Sequence, residues 1–247
     1  MKKRVRMLLI SFVMVGCGLL AFFCNVLYAA DGEIDFLDDA YYEASGEEDA
    51  VNDPFEGMNR AVFTFNDYAF MWILNPIATE YSRLVPSDIR GAVVNFFYNL
   101  QEPVRIVNTL LQRRFSDTGT LLTRFAVNSV GGVAGLGDPA ALLGFQRVDA
   151  RFGQTLDNWG VPDGIFLMVP VLGPTTLRDF SGRLVDACSV SYLFYWTAGQ
   201  EDINSIFAGK YVNNLSLHLG KYEQMKEISF DPYAALRDGF YQHRKQR

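Results

Sequence analysis

From Asn59 to Leu74 the chain inverts the pattern of an ordinary surface helix. Arg60, Thr64 and Asp67 recur at i, i+4 and i+7, Asn59 and Asn66 lie beside them, and all remaining positions are apolar or aromatic. A globular surface helix carries a narrow apolar stripe on a polar cylinder; here the narrow stripe is polar. The segment predicts a helix ended by Asn75-Pro76, because a residue before proline is pushed out of the α region. At 1.5 Å per residue this helix is about 24 Å long, slightly short of a hydrocarbon core. Two readings fit. One is a central core helix of a soluble protein; the other is a helix sunk in lipid, its stripe turned to a polar interior.

Pro86-Ser87-Asp88 offers an N-cap for a second helix, Ile89 to Gln112, apolar at positions such as Val93, Phe97, Val104 and Leu111. Pro103 is expected to kink or divide it near Leu100, and Arg113-Arg114 close it at the end that favours cations. Ser116-Asp117-Thr118 caps the next helix, which carries Leu121, Leu122, Phe125, Val127 and Val130 before reaching Gly131, Gly132, Gly135 and Gly137. A helical Gly costs about 1 kcal/mol relative to Ala, so pattern alone favours a helix C-terminus entering a glycine loop. The Gly131-xxx-Gly135 spacing offers close backbone packing as the alternative. Arg151 to Gly160 reads as a short helix stopped by Gly160, and Val161-Pro162-Asp163-Gly164 as a turn. Ile165 to Val169 is the best strand candidate, in a small hairpin or extended against helices. Thr176-Leu177-Arg178-Asp179 has capping-box spacing and opens a helix to about Val190. Ile203 to Met225 reads as mostly helical, weakened by Gly209 and Gly220. A last amphipathic helix starts at Asp231-Pro232-Tyr233. The prediction is a mainly α-helical fold of short, kinked helices in one domain, residues 53–247, with one small β-hairpin or extended segment.

Composition supports the lipid reading without deciding it: 49% of residues are hydrophobic and Phe alone occurs 20 times. Charge is unevenly placed. Residues 1–30 hold four basic groups and no acid, residues 31–50 hold nine acids and no base, and the rest is near neutral. No basic field suits nucleic acid. MKKRVR followed by apolar Met7 to Tyr28 reads as an export signal over residues 1–30. Three readings of its processing stand. Met14-Val15-Gly16-Cys17 resembles a lipobox, with Cys17 lipidated, though Met stands where Leu is usual. Cleavage after Ala29 or Ala30 is favoured over it; an uncleaved anchor is the third. The acidic segment 31–52 reads as a solvated linker.

Catalytic chemistry is hard to find. His218 and His243 are the only histidines and have no Cys or second His near in sequence, so neither a metal nor another cofactor is expected. No G-x-S-x-G elbow, P-loop or H-E-x-x-H occurs. Cys188 reads as a buried small hydrophobe. Arg60, Arg105, Arg124, Arg151 and Arg178 sit in or beside apolar stretches; the default expectation is exposed salt bridges, and in a phospholipid-handling protein some meet phosphate.

Several motifs in order carry a resemblance. Asp53-Pro54-Phe55-Glu56-Gly57-Met58-Asn59-Arg60 with Phe63 and Phe65-Asn66, Asn99-Leu100 with Glu102-Pro103, and Arg124-Phe125 with Asn128 and the glycines before Asp138 are similar to the MlaA/VacJ family. So are Phe152-Gly153-Gln154-Thr155-Leu156 with Trp159-Gly160, Gly173 to Asp179, and Asp231-Pro232-Tyr233 with Arg237, Tyr241 and Arg244. The resemblance implies a ring-like helical protein of the Gram-negative outer membrane, lying in the periplasmic leaflet around an amphipathic channel. It implies a non-enzymatic role in lipid asymmetry: mislocalised phospholipid leaves the outer leaflet and passes to a periplasmic carrier (MlaC-like), with a trimeric porin as a further partner. Within that frame Asn59, Arg60, Thr64, Asn66, Asp67, Arg124 and Asn128 are expected to face the channel. Gly131, Gly132, Gly135 and Gly137 then read as close packing or a hinge beside it. An envelope scaffold and, behind it, a membrane phospholipase are the competing readings.

Overall fold

A computed structural model of the protein describes residues 53–198 and 203–245. The signal segment with Cys17 and the acidic stretch lie outside the described residues.

Helix α1 (Glu56–Ala69) is not ended by Asn75-Pro76. It passes through one π-helical turn, Phe70–Leu74, into α2 (Asn75–Leu84). The wider turn lets the Asn75 N–H reach the Phe70 carbonyl. Pro76 then falls in the first turn of α2, where a missing N–H costs nothing. Helix α3 (Ser87–Leu111) likewise runs unbroken through Pro103 rather than dividing. Beside the donor that proline removes, Arg105 reaches back to the Tyr98 carbonyl and the Gln101 Oε1, both at 2.9 Å.

Helix α4 (Phe115–Gly131) begins one residue before the expected Ser116-Asp117-Thr118 cap. Arg114 is its N-cap and Asp117 is spent on the Arg114 Nε at 2.7 Å. After a glycine-containing turn comes α5 (Pro139–Leu142), capped by the Asp138 side chain. Helix α6 (Phe152–Asn158) is followed by Gly160 at φ +81°. The strand candidate pairs as a hairpin: β1 (Phe166–Val169) runs antiparallel to β2 (Gly173–Thr176), Phe166 opposite Thr176. Thr176 also caps α7 (Leu177–Ala198), its Oγ1 accepting from the Asp179 N–H at 3.2 Å. The expected Ile203–Met225 helix is two, α8 (Ile203–Ser216) and α9 (Lys221–Ile228), separated at Gly220 with φ +86°. Helix α10 (Pro232–Lys245) closes the described chain.

The hairpin sits at the centre of the main core. Phe166, Met168 and Val169 pack with Phe70, Tyr211, Leu215, Tyr222, Tyr233 and Phe240. Elsewhere the layering is inverted. Along α3, Asn108 and Thr109 are 2% and 0% exposed, while Val107 and Leu110 are 54% and 46% exposed. On α4, Arg124 and Asn128 are buried and Phe115, Leu122 and Val130 are exposed. On α1 and its continuation, Asn59 is buried while Tyr68, Trp72 and Ile73 are exposed. Water would penalise this arrangement; apolar surroundings favour it, because there every polar group must be satisfied internally. Among the described residues no helix is long and apolar enough to cross a membrane.

Candidate functional site

The polar stripe of α1 is a clamp. Asn59, fully buried, accepts from the Met168 N–H at 2.9 Å and donates to the Phe166 carbonyl at 3.3 Å and Asp53 at 2.8 Å. Asn66 brackets the hairpin turn, accepting from the Val171 N–H and donating to the Val169 carbonyl. Arg60 joins Asp231 through two nitrogens, at 3.1 and 2.7 Å, and also Glu56 at 2.7 Å. The Arg60 hydrogen bond holds the Asp231 carboxyl below its usual range. Asp67 accepts from Tyr222 at 3.0 Å and Lys226 at 2.6 Å, and Thr64 bonds the Arg60 carbonyl one turn back. Apart from Thr64, which bonds within α1, the stripe is therefore engaged with the hairpin and the C-terminal segment. Expected exposure also fails for three arginines: Arg105, Arg124 and Arg178 are buried.

Arg124 and Asn128 organise the glycine turn. The Arg124 NH2 group takes both Asp138 oxygens at 3.0 and 2.8 Å, and its NH1 bonds the Phe145 carbonyl. Asn128 donates to Asp138 at 3.0 Å and accepts from the Ala140 N–H. Burial works against the Asp138 charge, but the Arg124 and Asn128 bonds win and hold its carboxyl low. The four glycines divide. Gly135, at φ +90°, lies against α3 so closely that a Cβ would stand 2.4 Å from the Asn99 Cβ. A Cβ on Gly132 would meet two carbonyl oxygens at 2.6 Å. Gly131 and Gly137 have ordinary clearance, 3.6 and 3.5 Å. The Gly131-xxx-Gly135 pair is thus no helix-packing seam; the turn itself packs on α3.

A groove of about 700 Å³ opens between α3, α6 and α7. Pro103, Val104, Val107 and Leu111 form one wall; Leu184, Val185, Cys188 and Tyr192 form the other, with Phe152 at the end. Its floor is polar and fully paired. Asp186 accepts from Asn108 at 3.0 Å and from the Phe152 N–H at 2.8 Å. Thr155 donates to Asn108 at 3.1 Å and accepts from Gln112 at 2.9 Å. Helices α6 and α7 meet backbone to backbone: a Cβ on Gly182 would sit 2.3 Å from the Gly153 nitrogen. Sequence reasoning missed Asn108, Asp186 and Gly182. The polar positions on an otherwise apolar α3 carried the same inverted signal as the stripe at Asn59, and Gly182 interrupts a helical pattern. Cys188 is exposed, not buried, because its position on α7 faces the groove mouth.

Apolar walls over a satisfied polar floor suit an amphiphile whose chains lie against the walls. Residues 51–247 match the family model described as MlaA lipoprotein. The intermembrane phospholipid transport system lipoprotein MlaA of Escherichia coli K12 is 31% identical over 198 residues, covering 77% of this chain and 76% of that protein. Its namesake from Haemophilus influenzae is 29% identical over 195 residues, covering 78% and 77%. An uncharacterised Rickettsia prowazekii protein is 31% identical over 195 residues, covering 79% and 77%. A solved structure, reported for the structural basis of maintenance of bacterial outer membrane lipid asymmetry, matches with a TM-score of 0.66. It is 32% identical, over 78% of this chain and 98% of that one.

Proposed function

Because the chain belongs to the MlaA lipoprotein family, we propose that it is a non-enzymatic phospholipid passage of the outer membrane. It takes mislocalised phospholipid from the outer leaflet and hands it to a periplasmic carrier (MlaC-like), with a trimeric porin as neighbour. The observation that carries this reading is the inverted layering of α3: buried Asn108 and Thr109, exposed Val107 and Leu110. Such a helix is stable with lipid outside and polar groups inside.

The groove between α3, α6 and α7 is where acyl chains lie. Each methylene removed from water contributes about 0.8 kcal/mol, so apolar walls keep the chains solvated while the headgroup moves. The protein lowers the barrier to desolvating that headgroup; direction comes from the components it delivers to. Of the residues expected along the channel, Asn59, Arg60, Asn66, Asp67, Arg124 and Asn128 serve by holding its frame, since each bonds a separate element of the protein; Thr64 is exposed and bonds only the Arg60 carbonyl of its own helix.

The test is reconstitution into liposomes with labelled phospholipid and a soluble acceptor. Transfer well above that of protein-free liposomes, without release of fatty acid or lysolipid, is expected. Transfer equal to that background would sink the passage, and released fatty acid would make the protein a phospholipase.

A further inference from the structure

Glu102, on α3, is the most deeply buried acid of the described residues. It has no exposed surface, and neither carboxylate oxygen has a hydrogen-bond partner. Its near neighbour is the Arg124 Nε, 3.5 Å away and itself without a hydrogen bond. The charged groups around it come from each packed element. Arg105 lies on its own helix, Arg124 on α4, and Asp138 at the end of the glycine turn. Arg147, from the segment after α5, stands 3.7 Å from Asp138. Arg105, Arg124 and Arg147 all lie over the Tyr98 ring, at 3.9, 5.6 and 4.5 Å.

We propose that Glu102 is a proton-sensitive positioning residue, whose charge state sets how firmly Arg124 holds the Asp138 end of the glycine turn. A neutral Glu102 leaves Arg124 fully committed to Asp138 and the Phe145 carbonyl. An ionised Glu102 in a dry site requires donors, and the Arg124 Nε is the one within reach. Drawing it in loosens the grip on Asp138 and frees the turn that rests on Asn99 of α3. Burial pushes the Glu102 carboxyl up to about 7, against the pull of Arg105 and Arg124, which puts the change near neutral pH. The inference concerns the protein's own charges and stands whatever passes through the groove.

Amide hydrogen exchange on the full chain in detergent tests it. The Gly135 and Gly137 N–H groups are bonded to the Asn128 and Gly132 carbonyls at 2.9 and 2.8 Å, and report the turn. Their protection factors, corrected for intrinsic exchange, are expected to fall about tenfold from about pH 6 to about pH 8, and to stay flat in Glu102→Gln. Flat protection in the unaltered chain, or the same fall in Glu102→Gln, would overturn the proposal. Should Glu102→Gln not fold, infrared titration of the unaltered chain decides. A buried carboxyl band lost near neutral pH supports the proposal, and carboxyl groups all titrating in the ordinary acid range sink it.

Discussion

Two glycines of the same motif have opposite roles. Gly131 ends α4 with ordinary room for a Cβ, so Gly131→Ala is expected to be neutral or to stabilise by up to about 1 kcal/mol through helix propensity. Gly135 combines φ +90° with a 2.4 Å approach to Asn99. Gly135→Ala is expected to destabilise by about 1–3 kcal/mol, read as a lowered denaturation midpoint. Equal midpoints for the two variants would return the turn to an ordinary loop. Gly182 is more stringent, because its neighbour is the backbone of α6 rather than a side chain that can swing away. Gly182→Val is expected to displace α6 and the Phe152 end of the groove, seen as altered near-ultraviolet circular dichroism from Trp159, which packs on Phe152.

At the scale of elements, α3 is the informative helix. Its buried face is polar because Asn108, Gln112 and Thr109 bond to α4, α6 and α7; its other face supplies the apolar groove wall. Replacing Val107 and Leu111 together by Asp removes that wall without touching the floor. Phospholipid transfer from liposomes is expected to drop at least about tenfold, since desolvating a charge beside an acyl chain costs several kcal/mol. Folding, followed by helical circular dichroism, is expected to be retained. Unaltered transfer would place the lipid path elsewhere. The stripe on α1 belongs to the other half of the molecule: its bonds fix the hairpin against α9 and α10.

For the whole molecule, two acid-dependent windows are expected. Asp231 is lowered by its Arg60 hydrogen bond, and Asp138 by Arg124 and Asn128 against its burial. A depressed carboxyl stabilises the fold above its unfolded value, and that stability is lost as pH falls through the folded value. Glu102 has the opposite sign: raised to about 7, it favours the fold at low pH, and the benefit fades between about 4.5 and 7. Stability against urea is therefore expected to peak on the acid side of neutrality, and Glu102→Gln to remove the decline towards pH 7. The apolar exterior gives a further expectation. A chain of residues 53–247, lacking the signal and acidic segments, is expected to float with liposomes in a density gradient, because Trp72, Leu122, Val130 and Leu142 are exposed. A protein found at the bottom of the gradient would assign membrane residence to the missing segment instead.

The helical class, a strand candidate at Ile165 to Val169, the Thr176 cap and the polar stripe were legible in the sequence, because each is a local property: periodicity, turn chemistry and capping act within a few residues; pairing of the strand with β2 was not, since the sequence allowed an extended segment equally. The family, too, was legible in Asp53 to Arg60 and the motifs after it. What the polar residues face depends on long-range contacts that no local pattern encodes. Asn59 and Asn66 meet β-strand carbonyls more than a hundred positions away; Asp67 meets α9, and Arg124 meets a turn beyond the glycines. Helix continuity at Pro76 and Pro103 was decided in the folded structure as well, by a π turn in one case and a returning arginine in the other. The groove was not legible for the same physical reason: its walls come from α3 and α7, far apart in sequence, and its Phe152 end sits against α7 where Gly153 and Gly182 let two backbones touch.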